Sequence, residues 1–278
     1  MHPPVMAGRP LWVALPSSLL MEDRDLRDKT LKVGQVARAM GVFCVDRVFI
    51  FDDELDNNAR DAALIRELLE YMETPQYLRK RLYGLRPSLA YAGLLPPLKL
   101  PSHRAMPSPV AGGFREGVVE ERSGKKFVFA GMNFALPFEG RAPTGSRVTV
   151  RLEPRGDSFA ARQTSRAEVP GYWGYTVSRS AGLPDLCTKA DLAIATSRLG
   201  RPVAEAWGEL REDLRGRERC LVAFGAPKRG LHEMLGDEAM TKCFRHVINA
   251  LPGQGVETIR TEEAIFIFLS LVAFGMNA

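Results

Sequence analysis

The chain has 278 residues, of which 45% are hydrophobic and 26% are charged. These fractions are typical of folded soluble proteins and exclude a disordered chain. The formal net charge of +5 is compatible with a polyanionic partner but does not identify one.

The first 95 residues predict alternating strands and helices. The apolar run Leu11–Leu15 predicts a buried strand. Because Pro16 interrupts this run and acidic residues follow it, we interpret it as a strand and a loop, and not as a signal peptide. Apolar residues recur at helical spacing from Leu26 to Met40, a second strand is predicted at Arg47–Phe51, and a second helix at Ala62–Met72.

The segment 96–170 differs from its flanks in charge and in pattern. It contains 12 basic and 7 acidic residues, an excess that equals the net charge of the whole chain. Pro96 and Pro97 open it as a linker would. Runs such as Lys126–Phe129 and Arg147–Leu152 then predict short antiparallel strands in a small barrel or sandwich. Such a module could bind nucleic acid, or it could only support the rest of the protein.

The last part of the chain, 171–278, returns to strands and helices. Apolar runs at Leu192–Thr196, Leu221–Phe224 and Val247–Leu251 predict three strands. A closing helix is predicted from Glu262 to Ala273, with Thr261 as its N-cap. Its apolar run is far shorter than the roughly 20 residues that span a membrane, so no membrane partner is expected.

Strands that alternate with helices predict an α/β domain built on a parallel sheet. The three segments are then an N-terminal part of this domain (1–95), a basic β-barrel insertion (96–170) and a C-terminal part (171–278). Ligands in such sheets bind at the carboxyl ends of the strands, where the loops 196–200, 225–230 and 252–261 are predicted.

These loops lack the sequence motifs of the common nucleotide-binding and hydrolase classes. The loop 225–230 has the glycine spacing of a phosphate loop, but Leu231-His232 follow it in place of lysine and a hydroxyl residue. No complete GxGxxG follows a predicted strand, and no GxSxG is present. A triphosphatase, a common nicotinamide enzyme and a serine hydrolase are therefore not favoured.

Cysteines and histidines give no sign of a metal site. The four cysteines include no CxxC pair, which predicts a reducing compartment and no zinc site. The four histidines lack metal-ligand spacing, so each, including His232, is expected to have a structural or solvent-facing role. Glycine-rich loops without a nucleophile or metal suit a cofactor that carries its own reactive group, such as a sulfonium methyl donor. Alternatively, these glycines only form turns.

Motifs spread over the chain resemble a known family. The segment Asn249–Gly255, followed by Thr258–Ala264, resembles the last motif of the SPOUT-class RNA methyltransferases, most of all the archaeal and eukaryotic branch with an OB-like insertion. Further matching blocks are Gly34–Ala39, Thr74–Lys80, Phe114–Gly117 and Tyr172–Tyr175. The similarity extends from about Trp12 to Phe274.

The resemblance implies a SPOUT fold, in which the C-terminal part of a parallel α/β sheet is threaded into a trefoil knot and a small OB-like barrel interrupts the domain. It implies a homodimer that binds S-adenosyl-L-methionine in the knot loops beside the dimer interface. It also implies an RNA substrate, which we expect to be rRNA. The expected location is the cytoplasm, or the nucleus or nucleolus in a eukaryote.

Positions in the family motifs give the candidate site residues. Those expected to bind the cofactor are Thr196, Ser197, Gly225, Pro227, Gly230, Ile248, Leu251, Gly253, Val256 and Thr258. The catalytic candidates are Arg260, which could stabilise charge on the acceptor, Glu262, which could transfer a proton or cap its helix, and Arg38. Residues expected to bind RNA are Arg27, Arg79, Lys80, Arg81, Lys125, Lys126, Arg147, Arg151 and Arg155, with Tyr77 as a stacking aromatic. Alternatively, Arg27 and the stretch 76–81 only form exposed faces of ordinary helices.

We therefore expect an S-adenosylmethionine-dependent RNA methyltransferase. The methyl group would move in one in-line displacement to a base nitrogen or a ribose oxygen. The alternative is a non-catalytic RNA-binding or ribosome-assembly factor that uses the knotted fold as a dimer scaffold. The intact loop Pro252–Thr261 favours the enzyme, because a scaffold has less need of it.

Overall fold

The computed structural model describes residues 9–53 and 59–277. The chain divides into two compact units, one formed by 1–70, 91–96 and 175–278 and the other by 71–90 and 97–174. The domain boundaries at 95/96 and 170/171 stay a prediction. No helix in the described part of the chain is long and apolar enough to cross a membrane.

The structure contains eleven strands and seven α-helices within its described residues. The strands are β1 (Leu11–Pro16), β2 (Arg47–Phe51), β3 (Phe114–Arg122), β4 (Lys125–Phe129), β5 (Leu136–Glu139), β6 (Arg147–Arg155), β7 (Ser158–Thr164), β8 (Thr176–Ser180), β9 (Leu192–Pro202), β10 (Cys220–Ala223) and β11 (His246–Asn249). The helices are α1 (Leu26–Val42), α2 (Ala59–Glu73), α3 (Gln76–Leu82), α4 (Leu183–Cys187), α5 (Val203–Gly216), α6 (Leu231–Cys243) and α7 (Thr261–Asn277).

The first unit is built on a six-stranded sheet with the strand order β11-β9-β10-β1-β2-β8. All neighbouring strands are parallel, which confirms the predicted parallel sheet. Every residue of β1 is buried, as expected for a strand covered on both faces. Trp12 and Ala14 pack with Leu186 of α4 and Met240 of α6 on one face. Leu11 and Val13, which point to the other face, are also fully buried.

The N-terminal elements lie where the apolar pattern predicts them. β2 has the predicted bounds, and β1, α1 and α2 extend the predicted segments by a few residues. The helix α1 begins after Asp25, whose carboxylate accepts a hydrogen bond from the Asp28 N–H at 2.8 Å. A side-chain cap of this kind satisfies one of the free N–H groups at a helix start.

The C-terminal elements differ more from the prediction. The strand β9 continues through the predicted loop 196–200, because Ile248 and Asn249 of β11 pair with Arg201 and Pro202. The helix α7 already includes Thr261, so Thr261 is not its N-cap. The cap bond is instead made by the Arg260 N–H, which donates to the Glu263 carboxylate at 2.9 Å.

The second unit contains a closed five-stranded barrel with the order β3-β4-β5-β7-β6. This confirms the predicted barrel, with Val119, Val128 and Val150 among its core residues. The prediction of a purely antiparallel barrel is wrong at one place, because β5 and β7 are parallel. Both β4 and β6 run opposite to β3, and β5 and β7 run opposite to those strands. The two strands that close the barrel therefore share one direction.

Candidate functional site

The carboxyl ends of β9, β10 and β11 surround a cavity of about 300 Å³ in the first unit. This is the edge of a parallel sheet where ligands bind, and the volume is in the range of small-molecule sites. The wall comes from the β9 segment 196–199, the β10 loop 224–230 and the start of α6. The β11 segment 248–251 and residues between 254 and 268, which belong to the last loop and to the first half of α7, complete the wall.

The structure brings most of the predicted cofactor residues together on this wall. These residues are Thr196, Ser197, Gly225, Pro227, Gly230, Ile248, Leu251 and Thr258. Gly253 and Val256 are exposed and are not on the wall, where their neighbours Gln254 and Glu257 lie instead. The cavity therefore includes residues of all three predicted loops, and the binding of a cofactor there stays a prediction.

Close backbone approach shapes two of the loops. A Cβ atom on Gly200 would lie 2.7 Å from the Val247 carbonyl oxygen and 2.8 Å from the Ile248 nitrogen. Only glycine lets β9 and β11 pass this closely. A Cβ on Gly225 would lie 3.2 Å from the Arg229 carbonyl oxygen, across the tight turn of the β10 loop.

Side-chain hydrogen bonds fix the loops to each other. The Asn249 amide donates to the Arg198 carbonyl at 2.9 Å and accepts from the Leu251 N–H at 3.0 Å, which ties the end of β11 to the β9 segment. The Gln254 amide donates to the carbonyls of Val256 and Glu257, each at 2.9 Å. The cavity wall is therefore held by contacts within the first unit.

Ser197 and His232 form a polar pair on the wall. Ser197 Oγ accepts from the Leu199 N–H at 3.1 Å and lies 3.2 Å from His232 Nδ1. His232 is half-buried in the first turn of α6. The sequence predicts a structural or solvent-facing role for His232, and the structure places this residue on the cavity wall. The available signal was its place directly after the β10 loop.

The predicted catalytic residues Arg260, Glu262 and Arg38 are not on the cavity wall. Arg260 is exposed, and Arg38 is half-buried on α1. Glu262 is only 4% exposed, and its Oε2 atom has no hydrogen-bond partner among the described residues. The interpretation that Glu262 caps its helix is wrong, because Glu263 makes that bond.

The composition of the wall fits a compound with both a planar base and charged groups. Ile248, Ile267 and Phe268 offer apolar surface on which an adenine could pack. Arg198 and Glu233 are among the charged side chains that could meet a carboxylate and an ammonium group. Among the described residues, no group of three or more Cys, His, Asp or Glu is arranged to hold a metal ion.

Several of the basic residues predicted to bind RNA are exposed. Arg27 is 57% exposed beside Asp28, and the remaining exposed members are Lys80, Arg81, Lys125, Arg151 and Arg155. Some of them already have intramolecular contacts. The Arg81 guanidinium covers the Phe129 ring at 3.6 Å and donates to Glu120 at 2.9 Å. Half-buried Lys126 donates to the Ala142 carbonyl at 2.8 Å, and Arg155 is paired with Glu139.

Arg79 and Tyr77 have structural roles that the sequence did not reveal. The Arg79 guanidinium donates to the Met72 and Thr74 carbonyls at 3.1 and 3.0 Å, at the end of α2. The Tyr77 hydroxyl donates to the Glu116 carbonyl at 3.0 Å, and burial raises the pKa of Tyr77 to about 12. The hydroxyl of Tyr77 is therefore used inside the second unit, and its role as a stacking platform for a base stays a prediction.

Arg147 lies in a buried ion network of the second unit. Its Nη1 is 2.6 Å from Glu73 and its Nε is 2.6 Å from Glu116, and these carboxylates are 3% and 2% exposed. Burial alone would raise the pKa of Glu116, but Arg147 and Arg166 hold that pKa below its ordinary value. Because its donors are used inside the unit, Arg147 is not available for a phosphate, which corrects its prediction as an RNA contact.

Comparison with known proteins shows the family of the chain. A family model described as "Putative RNA methyltransferase" matches residues 10–272. An uncharacterized protein of Halobacterium salinarum is 38% identical, over 92% of this chain and 96% of its own length. The human 28S rRNA (uridine-N(3))-methyltransferase is 33% identical, over 97% of this chain and 80% of its own length. The Drosophila melanogaster protein of the same name is 31% identical, over 94% of this chain and 61% of its own length. The chain belongs to this family of RNA methyltransferases.

Proposed function

We propose that the protein methylates N3 of a uridine in large-subunit rRNA, with S-adenosyl-L-methionine as the methyl donor. The observation that carries this proposal is the match to the human uridine-N(3) methyltransferase over 97% of the chain, which includes every strand that surrounds the cavity. The alternative of a non-catalytic assembly factor has no support from the geometry, because a scaffold does not need a formed cavity at the sheet edge.

The chain contributes binding and orientation to this reaction. Ile248 and Phe268 would pack against the adenine, and the backbone of the β10 loop would face the rest of the donor. The donor supplies a methyl group that its sulfonium already activates. The protein therefore has to hold the acceptor base in line with that methyl group and exclude competing water, which can supply a large part of the rate enhancement.

We also assign the C-terminal part to the SPOUT class, with a trefoil knot. Two observations support this assignment. β11 pairs with β9 on the side away from β10, although β10 precedes it in the chain. The register between β9 and β11 also shifts between Val247 and Ile248, so that residues 196–200 of β9 have no partner in β11 and lie beside the cavity.

The barrel and the oligomeric state are further parts of the proposal. The strand order β3-β4-β5-β7-β6 is consistent with an OB-like five-stranded barrel, a fold that often binds oligonucleotides. Exposed Lys125, Arg151 and Arg155 would contact the RNA backbone there. We also propose a homodimer, in which the exposed apolar side chains of Leu199 and Phe274 would be covered.

Two measurements test the function. The first is titration calorimetry with S-adenosyl-L-methionine, for which we expect saturation near one donor per subunit. Gly225→Val should abolish binding, because the new side chain enters the tight β10 turn. Gly208→Ala is the matched control, since a Cβ there would contact nothing within 4 Å.

The second measurement is methyl transfer to an in-vitro transcript of large-subunit rRNA, followed by nucleoside mass spectrometry. We expect 3-methyluridine as the product. Methylation of a ribose oxygen or another base would refute the proposed acceptor. A folded protein that neither binds the donor nor modifies the transcript would instead support the assembly factor.

A further inference from the structure

The cavity wall contains side chains that could take part in proton transfer. Among its described residues, three side chains are able to accept a proton: His232, Glu233 and Glu257. A proton acceptor is needed because N3 of uridine carries a hydrogen. Its lone pair is delocalised into the two neighbouring carbonyl groups, so N3 becomes a good nucleophile only when that proton is removed.

The two carboxylates are poorly placed for this task. Glu233 and Glu257 are exposed. No side-chain hydrogen bond within the described part of the chain holds either carboxylate in a fixed orientation. A general base must lie within hydrogen-bond reach of the proton that it removes, so a side chain that moves freely in solvent is a weak candidate.

His232 is held in place. Its Nδ1 is 3.2 Å from Ser197 Oγ, and Ser197 Oγ also accepts the Leu199 N–H at 3.1 Å. A hydroxyl oxygen has two lone pairs, so Ser197 can accept both the Leu199 N–H and an Nδ1–H of His232. In this tautomer Nε2 carries no hydrogen and keeps a free lone pair, which is the arrangement that a base requires.

We propose that His232 is the general base of the reaction, and that Ser197 is the positioning residue that fixes its tautomer. This inference rests on the proposed uridine-N3 activity. His232 Nε2 takes the N3 proton, and the electron pair of the N3–H bond stays on N3 and forms the new bond to the methyl carbon. The bond between that carbon and sulfur breaks, and its electron pair stays on sulfur. The positive charge of the sulfonium is thereby replaced by that of the imidazolium.

The experiment compares wild type with His232→Ala, Ser197→Ala and Glu238→Gln. Single-turnover methyl transfer is measured on the large-subunit rRNA transcript, and donor affinity is measured by calorimetry. His232→Ala should slow transfer about 10²–10⁴-fold, the usual contribution of a general base, while the affinity for S-adenosyl-L-methionine changes less than about threefold. Ser197→Ala should give a smaller loss of the same kind. Glu238→Gln is the control from the same helix and should keep the rate, because Glu238 is not on the cavity wall and pairs with Lys242.

Two readouts separate a base from a residue that only supports the fold. Imidazole added to the buffer should restore part of the activity of His232→Ala. A transcript made with 5-fluorouridine should also reduce the defect, because fluorine withdraws electrons and makes N3–H more acidic. A structural role would leave both readouts unchanged.

The outcomes distinguish this inference from the function on which it rests. A His232→Ala protein that transfers as fast as wild type, or that loses donor affinity in proportion to its rate, overturns the role of His232 alone. A loss of rate without rescue by imidazole and without a smaller defect on the fluorinated transcript overturns it too. A wild-type protein that forms no 3-methyluridine overturns both proposals.

Discussion

Replacing Arg147 with methionine tests whether the ion network stabilises the second unit. The guanidinium bonds to Glu73 and Glu116 at 2.6 Å each, and both carboxylates are almost fully buried. Methionine keeps an unbranched apolar stem of similar length but removes the charge and its donors. Two buried carboxylates would then lose a cation, and removing one partner of a buried ion pair usually costs about 3–5 kcal/mol.

The remaining contacts set the expected magnitude within that range. Glu73 keeps Arg166, and Glu116 keeps the Thr149 hydroxyl and the Trp173 indole N–H, each at 2.7 Å. These donors partly compensate for the lost guanidinium. We therefore expect the free energy of unfolding to fall by about 3 kcal/mol, near the lower end of the range for broken buried pairs.

Urea unfolding followed by tryptophan fluorescence measures this change, since Trp173 belongs to the network. The matched control is Arg122→Met in the same barrel. The Arg122 side chain is 60% exposed and bonds to Glu120 at 2.8 Å, and a pair of this kind contributes about 0–1 kcal/mol. If Arg147→Met costs no more than Arg122→Met, the reasoning that assigns Arg147 a structural role is refuted.

Three further predictions concern the pKa of Glu116, the close approach at Gly200 and the basic surface of the barrel. The pKa of Glu116 is lowered in the folded state, so the ionised carboxylate stabilises the fold fully above about pH 5, and this stabilisation is lost as the pH falls through the folded pKa. The free energy of unfolding, measured over an acid titration, should therefore fall in wild type and fall less in Arg147→Met. Gly200→Ala should weaken the β9–β11 pairing by about 1–3 kcal/mol and lower donor affinity, since its Cβ would meet backbone at 2.7 Å; equal affinity in calorimetry would show that the crossing is not tight. Neutralising both Lys125 and Arg151 should reduce the salt slope of RNA binding by about one unit each, and an unchanged slope would remove the barrel from the RNA contacts.

The parallel sheet could be predicted because the composition of its strands indicates that they are buried on both faces. β1 and β10 are apolar at nearly every position, and this pattern has few explanations other than a strand covered on both faces. The barrel was visible for a similar reason, since alternation between turns marks strands with one buried face. The strand order was not available, because periodicity describes each strand and not its neighbours.

The contacts of polar side chains could not be predicted, because they join residues that are distant in the chain. Arg147 and Glu73 are 74 positions apart in the chain, so a count of charges could identify the arginine but not its partner. The spacing of the histidines gives no information on the surroundings of His232, because its partner Ser197 is 35 positions away. In both cases the role of a polar side chain is decided by a contact that the fold creates.

The compact units separate charge more strongly than the sequence segments do. The second unit contains 16 basic and 8 acidic residues, a net charge of +8, because Arg79, Lys80, Arg81 and Arg86 belong to it as well as the barrel. The first unit contains 22 basic and 25 acidic residues, a net charge of −3, and the two values give the +5 of the whole chain. Phosphate contacts supply most of the affinity for nucleic acid, and a unit with net negative charge repels RNA at long range. The cavity lies in the unit with a net negative charge, and we expect the basic residues of the second unit to contribute most of the electrostatic attraction for RNA.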